Sequence, residues 1–172
     1  MQNIQLLLTG GTIDSEWSPV EDTAVPFARS NIKPYLEKFI NPDFEIWEKT
    51  ITMADSRSID DNVRRMLLGG ISQSKSDRII ITHGTYTMSE TAVFLGDAVA
   101  KDKKLENKRV ILVGSFYPLS GFAQTDAPYN LGYAIGAIEH ISPGVYVAMN
   151  SRLFKPSEVE KDLVKGKFKI RN

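Results

Sequence analysis

Hydroxyl side chains stand where predicted strands end, and they are the residues of this chain best suited to nucleophilic chemistry. Thr12 follows two glycines in the turn Thr9-Gly10-Gly11-Thr12-Ile13. Such a turn lets the backbone approach a ligand closely, and its N–H groups can stabilise an oxyanion. The alternative is a phosphate-binding turn, but neither Gly-x-Gly-x-x-Gly nor the P-loop pattern occurs here.

A denser polar segment follows the third predicted strand and runs from Thr82 to Thr91. Gly84, Thr85 and Tyr86 form its turn, so we expect the hydroxyl groups of Thr85 and Tyr86 to face a cleft. His83 has two interpretations, a structural histidine or a general base. We favour the structural one, because His83 ends a strand that runs into the core.

A third polar cluster, Met53-Ala54-Asp55-Ser56-Arg57-Ser58, follows the second predicted strand. Ser58 fits the N-cap of a helix over Ile59–Ser72. Asp55 and Ser56 lie too far upstream for capping and are therefore candidates for ligand binding.

The residue types present narrow the choice of base. The chain has no cysteine and two histidines, and it lacks both His-Glu-x-x-His and Gly-x-Ser-x-Gly. These absences disfavour zinc hydrolases and α/β-hydrolases. A hydroxyl nucleophile activated by lysine remains. Lys161 falls in a predicted helix, Ser157–Val164, where a lone lysine is usually solvated.

Short apolar runs alternate with helical patterns, which predicts an α/β fold: a three-layer helix–sheet–helix arrangement with a mainly parallel, flavodoxin- or Rossmann-like sheet. In such sheets, ligands bind at the carboxyl ends of the strands. The predicted strands are Ile4–Leu8, Phe44–Ile51, Arg78–Thr82, Arg109–Val113 and Val145–Met149. The other predicted helices are Ile32–Phe39, Ser89–Ala100 and Asn130–Ile138. Residues 14–30 have no clear period and are either a lid or a surface excursion with a small hairpin, the lid being favoured.

The composition of the chain limits which binding partners and which cellular compartment we expect. Lysine plus arginine equals aspartate plus glutamate, 21 of each, so no overall charge favours nucleic acid or an anionic membrane. No apolar stretch is long enough to span a bilayer. The first apolar run begins at Ile4, which leaves no room for a secretory leader. We therefore expect a cytoplasmic protein with a small-molecule substrate, no nucleic-acid partner and no membrane.

Four segments together resemble the bacterial-type L-asparaginase family. They are Thr9–Ile13, the stretch His83-Gly84-Thr85-Tyr86-Thr87-Met88-Ser89-Glu90-Thr91, Gly114–Pro118 with Asp126–Leu131, and Val145–Asn150 followed by Lys161. They occur in the family's order and cover the whole chain. The resemblance implies the N-terminal asparaginase fold and hydrolysis of L-asparagine to L-aspartate and ammonia through an acyl-enzyme. It implies no metal or organic cofactor.

The resemblance also assigns roles to residues. Thr12 matches the nucleophile, and Thr85 with Lys161 matches the pair that moves protons. Ser56, preceded by Asp55, is similar to the residue that holds the substrate carboxylate. Gly11, Gly84 and the position of Tyr86 complete the expected substrate site.

Three departures from the family pattern shape our expectations. Tyr86 replaces an aspartate, which removes one negative charge; we hypothesise that Asp55 binds the substrate ammonium instead. The usual lid tyrosine is not evident, and Trp17 is the lid candidate. The chain stops where the family continues into a smaller second domain, so it is either a short protein that works with one domain or a fragment; we favour the former and expect residues 1–172 to form one catalytic domain. Because family members are oligomers, we also expect a homo-oligomer, a dimer or larger.

Three functions stay open at this point. An asparaginase is the leading one. A related amidohydrolase with another amide substrate and a non-catalytic domain that binds an amino acid are the alternatives. Retention of Thr12, Thr85 and Lys161 favours catalysis, since binding alone does not need a proton-transfer set.

Overall fold

A parallel sheet forms the centre of the computed structural model, which describes residues 3–121 and 124–171. Its central strands, such as the run Leu6-Leu7-Leu8, are fully buried because helices cover both faces. In chain order the strands are β1 (Ile4–Gly10), β2 (Ser15–Ser18), β3 (Thr23–Pro26), β4 (Ile46–Ala54), β5 (Arg78–Thr82), β6 (Arg109–Val113), β7 (Gly144–Met149), β8 (Arg152–Phe154), β9 (Val159–Asp162) and β10 (Lys167–Ile170). The helices are α1 (Ile32–Tyr35, continued by one π-type turn over Leu36–Ile40), α2 (Asp61–Gln73), α3 (Met88–Lys101) and α4 (Ala127–Ala137).

The strand order of the main sheet is β4-β1-β5-β6-β7-β8. All pairs are parallel except β7–β8. The five parallel strands thus follow a flavodoxin-like order, which confirms the predicted fold class. The order reverses between β1 and β5, so a ligand crevice is expected where the carboxyl ends of these two strands meet.

Two apolar cores lie on the two faces of the sheet. On one face, α2, α3 and the β9–β10 hairpin contribute buried side chains, among them Leu67, Leu95 and Phe168. On the other face, α1 and α4 contribute buried residues such as Ile32 and Leu131. The layers therefore hold the strand ends rigidly from both sides. No helix in the described part of the chain is long and apolar enough to cross a membrane.

Two local predictions were wrong. The predicted helix Ser157–Val164 is instead a short 3-10 turn followed by β9, which pairs antiparallel with β10. Tertiary burial decides this, because the hairpin places Val159 and Phe168 in the core. The cap of α2 is Asp60 rather than Ser58, since its carboxylate accepts a hydrogen bond from the backbone N–H of Val63 at 2.9 Å.

Residues 14–30 contain the small hairpin β2–β3. Asp14 holds both ends of this hairpin. Its backbone carbonyl accepts a hydrogen bond from the N–H of Phe27 at 3.0 Å, and its carboxylate accepts one from the N–H of Asn31 at 2.8 Å. Burial raises the pKa of the Asp14 carboxyl, although hydrogen bonds oppose the shift. The segment is therefore ordered beside the carboxyl end of β1.

Candidate active site

Two glycines allow the turns after β1 and β5 to touch. A Cβ atom on Gly11 would stand 2.4 Å from the Cα and N atoms of Gly84, a distance that no side chain tolerates. Gly11 also has φ +76, in the left-handed region that favours glycine. The absence of side chains at this contact brings the two polar turns together at the point where the strand order reverses.

The turn after Gly11 presents Thr12. Residues Thr12–Asp14 form one 3-10 turn, which is closed by a hydrogen bond from the Asp14 N–H to the Gly11 carbonyl at 3.0 Å. The Ser15 hydroxyl donates to the same carbonyl at 2.7 Å. On the other side, the Gly11 N–H donates to the carbonyl of Ala54 at 2.9 Å. Thr12 is thus held on a backbone that is bonded on both sides.

The turn after β4 is bonded to the turn after β5. The buried Ser56 hydroxyl accepts a hydrogen bond from the Tyr86 N–H at 3.2 Å, and the Ser56 carbonyl accepts one from the Thr87 hydroxyl at 2.6 Å. Asp55 caps this turn through the N–H of Arg57 at 2.7 Å. The predicted carboxylate-binding cluster therefore lies against the predicted Thr85–Tyr86 turn.

Lys161 reaches the site from β9. Its ammonium donates a hydrogen bond to the Thr85 hydroxyl at 2.7 Å and lies 5.2 Å from the ring centroid of Phe116. Burial lowers the pKa of Lys161; the positive charge of Arg57 lowers it further, and Asp55 partly opposes both effects. A lowered pKa makes the neutral form of Lys161 easier to reach, and a neutral lysine bonded to a hydroxyl can accept its proton.

These turns enclose an open cavity of about 240 Å³. The three predicted catalytic residues line it, namely Thr12, Thr85 and Lys161. The five predicted substrate-binding residues also line it: Gly11, Asp55, Ser56, Gly84 and Tyr86. The structure therefore brings together eight predicted residues from four separate segments of the sequence.

Trp17, the predicted lid residue, does not line this cavity. Its side chain is 60% exposed and lines a separate cavity with Phe27 and Tyr117. Trp17 pairs with Ala24 in the hairpin, but the residues of the hairpin that line the site are Thr23 and Ala24 of its second strand. The hairpin thus flanks the cavity, but through its second strand.

Besides Thr23 and Ala24 of the hairpin, two residues that the sequence analysis did not assign to the site line the cavity, Arg57 and Phe116. Arg57 follows Ser56 in the polar cluster after β4, and this position in the sequence could have marked it as a site residue. Phe116 follows the fourth parallel strand in the segment Gly114–Pro118. The sequence does not mark an aromatic side chain there as part of a site, because its role depends on its contact with Lys161, which only the fold creates.

His83 is fully buried behind the site. One ring nitrogen, Nδ1, bonds the Gly84 carbonyl at 2.7 Å, and Nε2 bonds the Thr91 hydroxyl at 3.0 Å. Burial lowers the pKa of His83 to about 4. These contacts favour the structural interpretation, because both ring nitrogens are engaged away from the cavity.

The fold and the site together define a class of protein. It is an α/β domain with a flavodoxin-like strand order, and two threonines and a lysine line the cavity at its switch point. The family model for the N-terminal domain of asparaginases matches residues 3–165. The chain belongs to the asparaginase family.

Individual relatives agree with this assignment. The chain is 33% identical to L-asparaginase 2 of Bacillus subtilis, covering 94% of this chain and 44% of that protein. It is 31% identical to L-asparaginase 2 of Escherichia coli, covering 94% and 47%. The crystal structure of a probable cytoplasmic L-asparaginase from Campylobacter jejuni superposes with a TM-score of 0.79 at 29% identity, covering 98% and 52%. The chain thus spans about half the length of these proteins.

Proposed function

We propose that the cavity hydrolyses a small carboxamide, with Thr12 as the nucleophile. The observation that carries this proposal is the 2.7 Å hydrogen bond between Lys161 and Thr85, in a cavity that Thr12 also lines. An alkyl hydroxyl is a poor nucleophile at neutral pH and needs a base that accepts its proton. The lowered pKa of Lys161 supports that role for the pair.

The proposed reaction has two stages. The Thr12 oxygen attacks the amide carbon, and the Thr85–Lys161 pair takes the hydroxyl proton. The C–N bond then breaks, the nitrogen leaves as ammonia with that proton, and an ester to Thr12 remains. Water next attacks the ester, passes a proton through the same pair and releases a carboxylic acid, which restores the Thr12 hydroxyl. Backbone N–H groups of the glycine turn are suited to stabilise the oxyanion in both stages.

L-Asparagine is the first substrate to test. Relatives of the chain are named L-asparaginases, and one from Acinetobacter glutaminasificans is named a glutaminase-asparaginase. A cytoplasmic location, a homo-oligomer and a catalytic unit made of one domain stay predictions. So does the absence of a cofactor; across residues 3–121 and 124–171, no group of three acidic or histidine side chains is placed to hold a metal ion.

A related amidohydrolase with a different amide substrate is the second candidate. The observation that favours it is the Arg57 guanidinium, which lies 5.0 Å from the Tyr86 ring centroid and adds a positive charge to the substrate cavity. A non-catalytic amino-acid-binding domain is less well supported. Binding alone would give no reason for a partly desolvated lysine bonded to a threonine hydroxyl.

Ammonia release tests the proposal. The full chain is assayed with L-asparagine, L-glutamine, succinamate and a small panel of further amides, and Thr12→Ala is compared with Thr50→Ala, an exposed threonine of β4 outside the cavity. We expect Thr12→Ala to lower kcat by about 10⁴-fold or more, as for other nucleophile deletions, and Thr50→Ala to keep it. Acid quenching followed by mass spectrometry is expected to find the acyl group on residue 12.

The outcomes separate the mechanism from the class. Turnover that survives Thr12→Ala refutes the nucleophile and leaves amide hydrolysis standing. No turnover of any amide by the folded protein favours the binding domain.

A further inference from the structure

The cavity has one carboxylate among its described lining residues, Asp55. Arg57 engages both of its oxygens. The backbone N–H of Arg57 donates to Oδ1 at 2.7 Å, and its Nη1 donates to Oδ2 at 3.2 Å. Asp55 is therefore already paired with a cation of its own turn, and a substrate ammonium would have to compete with Arg57 for it.

Arg57 itself is placed to receive an anion. Its guanidinium stacks over Tyr86 at 5.0 Å from the ring centroid, which restricts its position through a cation–π contact. The Nε and Nη2 groups make no other hydrogen bond to residues 3–121 and 124–171. The side chain is 68% exposed, so these donors stay accessible. A guanidinium with free donors in a fixed plane suits a carboxylate.

The charges of the lining residues do not favour a substrate ammonium. Asp55 offsets one of the two cations, Arg57 and Lys161, so the sum is positive when Lys161 is protonated and zero when it is neutral. An exposed ion pair such as Asp55–Arg57 is weak, and an incoming ammonium can displace it. Displacement gains little, however, because it leaves the Arg57 charge uncompensated beside the new cation.

We propose that Arg57 sets the substrate class of this site: a carboxamide that carries a free carboxylate and no free ammonium group. Succinamate, which is asparagine without its α-ammonium, is the simplest member of this class. The inference rests on the proposed amide hydrolysis and narrows its substrate. It departs from the hypothesis that Asp55 binds a substrate ammonium.

Competition between two matched substrates tests the inference. We measure kcat/KM for succinamate and for L-asparagine at neutral pH, and we expect succinamate to be favoured by at least about tenfold, since like charges in one cavity repel. Arg57→Gln is expected to lower kcat/KM for succinamate by about tenfold and to affect asparagine less. Arg65→Gln removes an exposed arginine of α2 and is the matched control, with an unchanged ratio.

A negative charge introduced at the half-exposed Tyr86 should shift the substrate preference in the opposite direction. Tyr86→Asp places a carboxylate beside Arg57, so the preference is expected to move toward L-asparagine by about tenfold. Circular dichroism and a thermal melt check that each variant is folded. Because these side chains are exposed, their replacement leaves the core untouched.

The failure of this inference is distinct from the failure of hydrolysis. If the wild type prefers L-asparagine and Asp55→Asn abolishes that preference, Asp55 binds the ammonium and the inference is overturned while hydrolysis stands. If neither compound is hydrolysed, hydrolysis fails for these substrates, and calorimetric binding of the two compounds decides the inference. Tighter binding of succinamate, lost in Arg57→Gln, supports it; equal or tighter binding of asparagine overturns it.

Discussion

Acidification should destabilise this protein through His83, and the effect is large enough to measure. The side chain is fully buried, and its pKa is lowered by burial from 6.5 to about 4. Below pH 6.5 the unfolded chain therefore binds a proton at this position that the folded chain does not. Stability from this residue is present above pH 6.5 and is lost as the pH falls toward 4.

The size of the loss follows from the two pKa values. The gap between about 4 and 6.5 corresponds to roughly 3 kcal/mol over the whole window. Between pH 7 and pH 5 the same pKa values correspond to about 2 kcal/mol. Carboxylates with lowered pKa values, such as Asp60 and Asp162, also lose stabilising interactions in acid. The contribution of His83 must therefore be isolated by difference.

Urea unfolding at pH 7, 6 and 5 supplies the assay. His83→Gln keeps a donor and an acceptor but cannot titrate, so we expect its free energy of unfolding to fall by about 2 kcal/mol less than that of the wild type between pH 7 and pH 5. His140→Gln replaces the exposed histidine and serves as the control. Equal losses in the wild type and His83→Gln would refute the reasoning that His83 is buried in its neutral form.

Two further predictions concern the site. In Gly84→Ala the new Cβ would stand 2.7 Å from the Cβ and Oγ atoms of Ser56, so we expect roughly 1–3 kcal/mol of destabilisation by urea unfolding. Gly69→Ala on α2, where a Cβ meets nothing within 4 Å, should gain about 0.5–1 kcal/mol. Arg57→Gln removes a charge that lowers the pKa of Lys161, so the rise of kcat with pH should move to higher pH. A profile identical to that of the wild type would contradict the role of Lys161 as the base.

Much of the fold was predictable because its signals are local. Short apolar runs located all five parallel strands, three of them as continuous runs, and the limits of β5 and β6 match the prediction residue for residue. The β9 strand was not predicted. Its sequence Val159-Glu160-Lys161-Asp162 has one apolar residue and no alternation that would mark a strand, and the partner strand that stabilises it begins five residues later.

The site was predictable in its members and not in its contacts. Thr12 and Thr85 were candidates from short motifs, since glycine turns and hydroxyl clusters mark strand ends, whereas Lys161 was assigned only through the family resemblance. Trp17 was misplaced because the way the hairpin packs beside the strand ends decides which of its two strands lies nearer the cavity, and the residue types of the hairpin do not encode that packing. Arg57 was overlooked because an arginine beside a cap is usually solvated.

By itself, the sequence determined the candidates for the reactive residues: a threonine after two glycines, a second threonine in a polar turn, and, through the family resemblance, a lysine near the end of the chain. It also determined the alternation of strands and helices that creates a switch point. Only the tertiary structure decided that Lys161 lies on a strand, with its ammonium 2.7 Å from the Thr85 hydroxyl. It also showed that the guanidinium of Arg57 pairs with the carboxylate of Asp55. The Lys161–Thr85 contact joins residues that lie 76 positions apart, and packing across the sheet fixes such a distance, whereas local propensity does not.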